Sequence, residues 1–547
     1  LEATPRVPSA TYRLQFSRRF GFEDARRILP YLDALGIDTI YASPIFRPRP
    51  GSSHGYDTVD PNEINTELGT EGDFELLMEA VRERGMGWIQ DIIPNHMAFH
   101  HDNYMLMNIL KRGEESRFRR HFDIDWRHPE PRLRGKVMAP FLERPLEDCL
   151  RSGEFQLGMG EVGLFVTYKH CAFPLHIGTY QEVLRPEPAA LMAGYDGDTD
   201  VKRVIDAAVG LKELSADSTP AGNVRVDREI ALMWRLYSES ESAREFISKR
   251  MACFTGDAMR TLLGRQHFTL ACYEDAREAI NYRRFFDVNR FIALNAGRDE
   301  VFTDTHALVS DLVKAGKITG LRIDHVDGLR DPEAYFRRLR REVGEIYIVA
   351  EKILSSGERL RWWPVQGTTG YDFLNQVNGL FCRTDNKGAM DRVYRDFTGC
   401  KTDPGELLYE KKKLVMDSNL KPDLDNLARW LWEDVRPAGA KCGGFPEQGR
   451  LREALVEMMA QLPVYRTYLS RTNQSWHDGV PLAEALGRAE SKRPDLLAEL
   501  GLLAGVLMGA PRLAGGPDLP AAAGIDFAMT LQQYTGAVMA KGFEDTF

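Results

Sequence analysis

The chain has 547 residues, 43% hydrophobic and 28% charged, with a net charge of −9. That length exceeds one compact core and predicts two or three domains. The acidic balance, with no long basic run, argues against nucleic acid or an anionic membrane as partner, and no apolar run of about 18 residues reads as a membrane span. The seven cysteines are scattered without a CxxC pair. They read as reduced thiols of a cytoplasmic protein, not a disulfide framework or a zinc site. Nothing resembles a signal peptide, and Leu1-Glu2 stand where an initiator Met is expected.

In chain order, Ala10–Phe16 alternates as a strand and Phe22–Leu35 is helical, ended by Gly36. Ile37–Pro44 is a second strand, Phe74–Arg84 a helix stopped by Gly85, and Gly87–Pro94 a third strand. This alternation predicts a parallel α/β sheet. The loop after the second strand carries His54-Gly55-Tyr56-Asp57, a turn able to present an imidazole and a phenol. Asn95 and His96 follow the third strand, where polar contacts to a ligand are made, whereas Asp91 within it reads as structural.

From about His100 to Asn281 the rhythm stops. Charged helical stretches are expected at Arg228–Arg250 and Gly256–Arg265, with Arg117–Trp126 near the start, and loops at Pro129–Pro145 and Pro186–Thr219. The segment 101–280 therefore reads as a domain inserted in the third βα loop, between barrel parts 1–100 and 281–380. The rhythm resumes at Ile280–Asp287 and a helix at Thr303–Ala315. Residues 381–547 read as mainly helical, apart from Gly/Pro stretches at 437–449 and 510–520, with one further barrel strand near 464–469.

The chemistry concentrates in Gly320–Gly328 and Ile346–Lys352, two apolar runs that end in charge, joined by a helix over Glu333–Glu342 with Asp331 as its cap and Pro332 in its first turn. Asp324 and Glu351 thus fall at the ends of adjacent parallel strands, the catalytic position of a (β/α)₈ barrel. Two carboxylates roughly 5–5.5 Å apart serve a retaining glycosidase as nucleophile and acid/base. Arg322, two residues before Asp324, shares its face and favours the ionised carboxylate. The aromatic, Gly-rich loop Trp362–Phe373 suits the rim of such a site.

HGYD at 54–57, DIIPNH at 91–96, GLRIDHVDGL at 320–329 and VAEKIL at 349–354 resemble the α-amylase superfamily of glycoside hydrolases. FDIDW at 122–126, NYRRFFDVN at 281–289, GTTGYDF at 367–373, PVYRTY at 463–468 and QQYTGAVMAKGFEDT at 532–546 narrow the resemblance to maltooligosyl trehalose synthases. The resemblance implies a (β/α)₈ TIM-type barrel with a large helical insertion after the third strand and a mainly helical C-terminal insertion. It makes Asp324 the nucleophile, Glu351 the acid/base and Tyr56 a platform under the sugar. His54, Asn95, His96, Arg322, His325, Lys352 and Tyr371 become substrate-binding candidates. The implied reaction converts the reducing-end α-1,4 linkage of a maltooligosaccharide into an α,α-1,1 linkage, with no metal or cofactor required. A retaining α-glucan hydrolase and a glucan-binding fragment are the alternatives.

The superfamily's third carboxylate, in a His-Asp pair, has no counterpart in matching context, since Trp476-His477-Asp478 lies in a different setting. The last barrel strands and that Asp are expected on polypeptide beyond Phe547, which is the expected partner.

Overall fold

The computed structural model describes residues 5–185, 194–434, 446–472, 476–508 and 521–544. The expectations for Leu1-Glu2, for most of 437–449, for 510–520 and for the chain after Glu544 lie outside the described residues.

Six strands, β1 (Thr11–Leu14), β2 (Thr39–Ala42), β3 (Gly87–Ile92), β4 (Gly320–Ile323), β5 (Tyr347–Ala350) and β6 (Gly367–Thr368), form one parallel sheet in sequence order. Helices α1 (Phe22–Ala34), α2 (Glu71–Glu83), α3 (Asp299–Lys314) and α4 (Pro332–Val343) pack beside it. The result is a TIM-type fold with helical insertions. All four residues of β4 are buried, as expected of a parallel strand covered on both faces.

The helices start and stop for local reasons. Thr70 and Asp73 form a reciprocal capping box at α2, and Gly85 ends that helix at φ +63°. Asp331 accepts from the Ala334 N–H to cap α4, with Pro332 in its first turn. Phe22, Ala25, Leu29 and Leu32 line one face of α1 and join Phe74, Trp88, Leu321 and Phe336 in the barrel core. Truncating Phe336 to Ala there costs about 3–5 kcal/mol.

A second core unites residues between Met97 and Val301, and a third, between Val415 and Val538, is built from helices. The inserted segment is more β-rich than expected. Phe155–Gly160, Gly163–Tyr168 and Cys171–Pro174 form an antiparallel sheet, and Val137–Leu142 pairs in parallel with Phe268–Cys272. Val137–Leu142 therefore corrects the loop expected over Pro129–Pro145. Helix Thr199–Glu213, capped by Asp198, replaces part of the loop expected over Pro186–Thr219. Arg117–Trp126 forms turns and isolated bridges instead of a helix. The helix expected over Arg228–Arg250 is two, because the Ser240 hydroxyl accepts from the Ala243 N–H and starts a new one.

One barrel assignment is also corrected, and the returning rhythm at Ile280–Asp287 is only a lead-in to the fourth strand. Ile280–Asp287 contributes only Arg284–Phe285, which pairs antiparallel with Val288–Ala293 outside the parallel sheet. The segment 464–469 forms no strand. Gln532 accepts from the Leu469 N–H and Asp478 from the Tyr468 N–H, so side chains satisfy backbone that a neighbouring strand would otherwise pair. The sixth strand is instead Gly367–Thr368, read from sequence as part of a loop.

The six cysteines among the described residues are unpaired, and no helix there is long and apolar enough to cross a membrane.

Burial pushes the His306 imidazole down to about 4, although the Phe302 carbonyl beside it opposes the shift. Its folded value lies below that of the unfolded chain, so the unfolded state binds more protons between about pH 6.5 and about pH 4. Stability is expected to fall as the pH drops through that window. Thermal melts should show a shallower loss for His306→Gln, and identical slopes would exclude the assignment.

Candidate active site

The site is assembled by strand register. Arg322 on β4 lies opposite Asp91 on β3 and Val349 on β5. The ladder continues one residue further, because the Asp324 N–H donates to the Ile92 carbonyl at 3.0 Å and the Glu351 N–H to the Ile323 carbonyl at 2.9 Å. Asp324 and Glu351 thus leave adjacent strands at the same height.

One guanidinium joins them. Arg322 Nη1 donates to Asp324 Oδ1 at 2.6 Å and to Asp91 Oδ1 at 2.8 Å, while Nη2 lies 2.9 Å from Glu351 Oε1. The hydroxyls of Tyr41 and Tyr56 donate to Asp91 Oδ2 at 2.9 and 2.6 Å. Burial works against the charge on Arg322, but Asp91, Asp324 and Glu351 outweigh it and hold the guanidinium protonated. Burial and the Glu351 charge push the Asp324 carboxyl well above the ordinary range, opposed by Arg322. One buried cation cannot neutralise three carboxylates, so the cluster favours retention of a proton.

Glu351 is held from a second side, because the His325 N–H donates to its Oε2 at 2.7 Å. His325 adopts φ +46°, a left-handed conformation costing about 1–3 kcal/mol for a non-glycine residue. Its ring is packed against Phe285 and Phe286, with centroids 4.8 and 5.1 Å away. Burial lowers its imidazole to about 4, and Glu351 opposes that shift.

The carboxylates open into a pocket of about 520 Å³ walled also by Arg13, Tyr41, Tyr56, Thr369 and Tyr371. Gly55 makes the turn that delivers Tyr56: it has φ +82°, and a Cβ there would meet the Pro44 carbonyl at 2.6 Å. Arg13 and Tyr41 were not singled out from the sequence. Their signal was register: Arg13 pairs with Tyr41, and Tyr41 is separated from the β3 carboxylate only by the β2–β3 ladder.

The other candidates are placed differently. His54 accepts from the Tyr56 N–H at 3.0 Å but lines a neighbouring cleft. Asn95 is buried and accepts from Arg283 at 3.2 Å. His96 packs against Phe285 and Phe291, and burial lowers its imidazole to about 3. Lys352 does not line the pocket: its buried ammonium meets Asp327, Glu358 and the Ile353 carbonyl. Asp478 lies in helix Trp476–Lys492, fully buried, where it accepts from Arg361 at 2.6 Å and from the Tyr468 N–H at 2.8 Å. It is structural and outside the pocket.

Arg322→Met strands three carboxylates around an apolar side chain. A loss of about 3–5 kcal/mol in stability is expected near neutral pH, shrinking in acid as the carboxyls protonate. Denaturant titrations at two pH values would show this, and a loss that does not change with pH would contradict it.

The family description "Alpha amylase, catalytic domain" matches residues 26–142. A protein of Mycobacterium tuberculosis named maltooligosyl trehalose synthase is 28% identical over 545 residues, covering 98% of this chain and 56% of its own. The maltooligosyltrehalose synthase structure from Arthrobacter ramosus matches with a TM-score of 0.72 at 29% identity, covering 98% of this chain and 56% of that one. The hypothetical maltooligosyl trehalose synthase of Sulfolobus tokodaii gives a TM-score of 0.66 at 29% identity over 99% of this chain and 56% of that one. The chain spans about half the length of these relatives. Along nearly all of its own length the chain is similar to maltooligosyl trehalose synthases, and its residues 26–142 match the α-amylase catalytic-domain family.

Proposed function

We propose that the pocket carries out intramolecular transglycosylation on maltooligosaccharides, turning the reducing-end α-1,4 linkage into an α,α-1,1 linkage. The observation that carries this reading is the pair Asp324 and Glu351 on adjacent strand ends, joined by Arg322. Glu351 enters this scheme as the acid, and Asp324, beside Arg322, as the ionised nucleophile. Asp324 then attacks the anomeric carbon while Glu351 protonates the departing glucose oxygen. The enzyme is left as a covalent glycosyl ester. The glucose turns within the pocket and its anomeric hydroxyl attacks that ester, giving its proton to Glu351. Water must be excluded for this outcome, otherwise hydrolysis follows. In this reading Tyr56, anchored to Asp91, serves as the platform under the sugar, and Tyr371, which lines the pocket, as part of its rim.

In this reading the three cores act as a barrel carrying the chemistry, an inserted domain over its mouth and a helical body behind the catalytic loops. The partner would be polypeptide corresponding to the remainder of the relatives' length, bringing a third carboxylate. One observation favours such a partner. Helices Tyr371–Gly379, whose Tyr371 and Leu374 line the pocket, and Lys387–Thr398 bury none of their residues, and Phe381 and Phe397 are 86% and 91% exposed.

Asp324→Asn is expected to lower turnover by many powers of ten while binding survives, and more than about a tenth of wild-type turnover would remove it as nucleophile. Glu351→Gln should be partly rescued on a glycosyl fluoride, whose leaving group needs little acid, and equal losses on fluoride and maltopentaose would refute its role. Mass spectrometry and a reducing-end assay on maltopentaose should find a non-reducing product of unchanged mass. Release of glucose or maltose as the main product would select a hydrolase instead.

A further inference from the structure

A second cleft, of about 300 Å³, lies across the loop Ser52–Tyr56 from the catalytic pocket. Several parts of the chain build it: the barrel loop with Arg49 and His54, the segment Ala98–His101, Phe141, the inserted strand Cys171–Pro174, and the strand Val288–Ala293. The two cavities share a wall. The Tyr56 N–H, from the residue facing the catalytic pocket, donates to Nδ1 of His54, and the two rings lie nearly parallel at 28° and 6.0 Å.

Aromatic faces dominate the lining. Phe141 lies 4.9 Å from Phe99 and stacks at 6.2 Å on Phe173, while Phe291 reaches the same cleft and touches the His96 ring. The polar groups are of a different kind. Arg49 is fixed by Asp57 at 2.5 Å, and the exposed Arg290 guanidinium has no ion-pair or hydrogen-bond partner among the described residues. The His100 and His101 rings lie with centroids 3.9 Å apart, tilted by 32°. Apolar plates with separated hydrogen-bond donors fit a ligand with C–H faces and hydroxyl edges. Asp57 beside His54 and Asp102 beside His100 make the setting less suited to an anion.

We propose that this cleft is a distal subsite for the α-glucan, holding sugar units several linkages from the bond that reacts. The proposal rests on the reading of the catalytic pocket as glucan-processing. It assigns the inserted segment a direct part in selecting substrate length: long chains reach the cleft and short ones do not.

Calorimetric titration of the 547-residue chain with maltotriose and with maltoheptaose tests this. Arg290→Ala and Phe291→Ala are expected to weaken maltoheptaose binding by about five- to tenfold and to leave maltotriose unchanged. Arg290 is exposed, so its variant keeps the test valid should Phe291→Ala fail to fold. Equal weakening of both sugars, or no weakening of either, would overturn the subsite while leaving the catalytic reading intact. A wild-type chain that binds neither sugar would overturn both.

Discussion

Everything in the candidate site depends on keeping Arg322 charged among Asp91, Asp324 and Glu351. Each partner comes from a different strand end of one parallel sheet, so the electrostatics and the ladder register are one constraint. A one-residue slip of β4 would turn Arg322 to the opposite face and leave buried carboxylates unpaired. The Tyr41 and Tyr56 hydroxyls complete the arrangement by occupying Asp91 Oδ2, which is fully buried. Asp91 is therefore structural, as its place inside the strand suggested, while also fixing the aromatic wall of the pocket.

The helical body acts on the same strands from behind. Buried Lys352 reaches Asp327 and Glu358, and the Tyr468 hydroxyl donates to Asp327 at 2.5 Å. Arg466 Nη1 donates to the carbonyls of Asp327 and Leu329 at 2.7 and 2.5 Å. These bonds fix the turn that follows Asp324 and the loop that follows Glu351. Lys352 belongs to this scaffold, and its charge is satisfied there, away from the pocket.

The hairpin Arg284–Ala293 has a comparable role on the other side. Phe285 and Phe286 hold His325 in its left-handed conformation, which aims its N–H at Glu351. Gly328 closes the turn nearby, where a Cβ would meet Asn95 Oδ1 at 2.3 Å. Asn95 and His96 thus contribute to packing under the turn that follows Asp324, through Arg283 and the aromatic cluster.

Much of this was legible in the residues alone. Apolar runs ending in Arg-x-Asp and in Ala-Glu identify buried parallel strands with a polar end, because charge is tolerated only where the sheet opens. Helix boundaries at Gly85 and Asp331 were equally local, since a cap is satisfied within a few residues, whereas the Thr70 cap starts α2 at Glu71, ahead of the expected Phe74. Tertiary structure decided the rest. Gly367–Thr368 becomes a strand only because β5 offers an open edge, and 464–469 fails to become one because Gln532 and Asp478 satisfy its backbone first. Whether Lys352, Asn95 and His96 face a ligand or the interior depends on partners far away in the chain. Local pattern sets where a side chain leaves the backbone, and long-range packing sets what it meets.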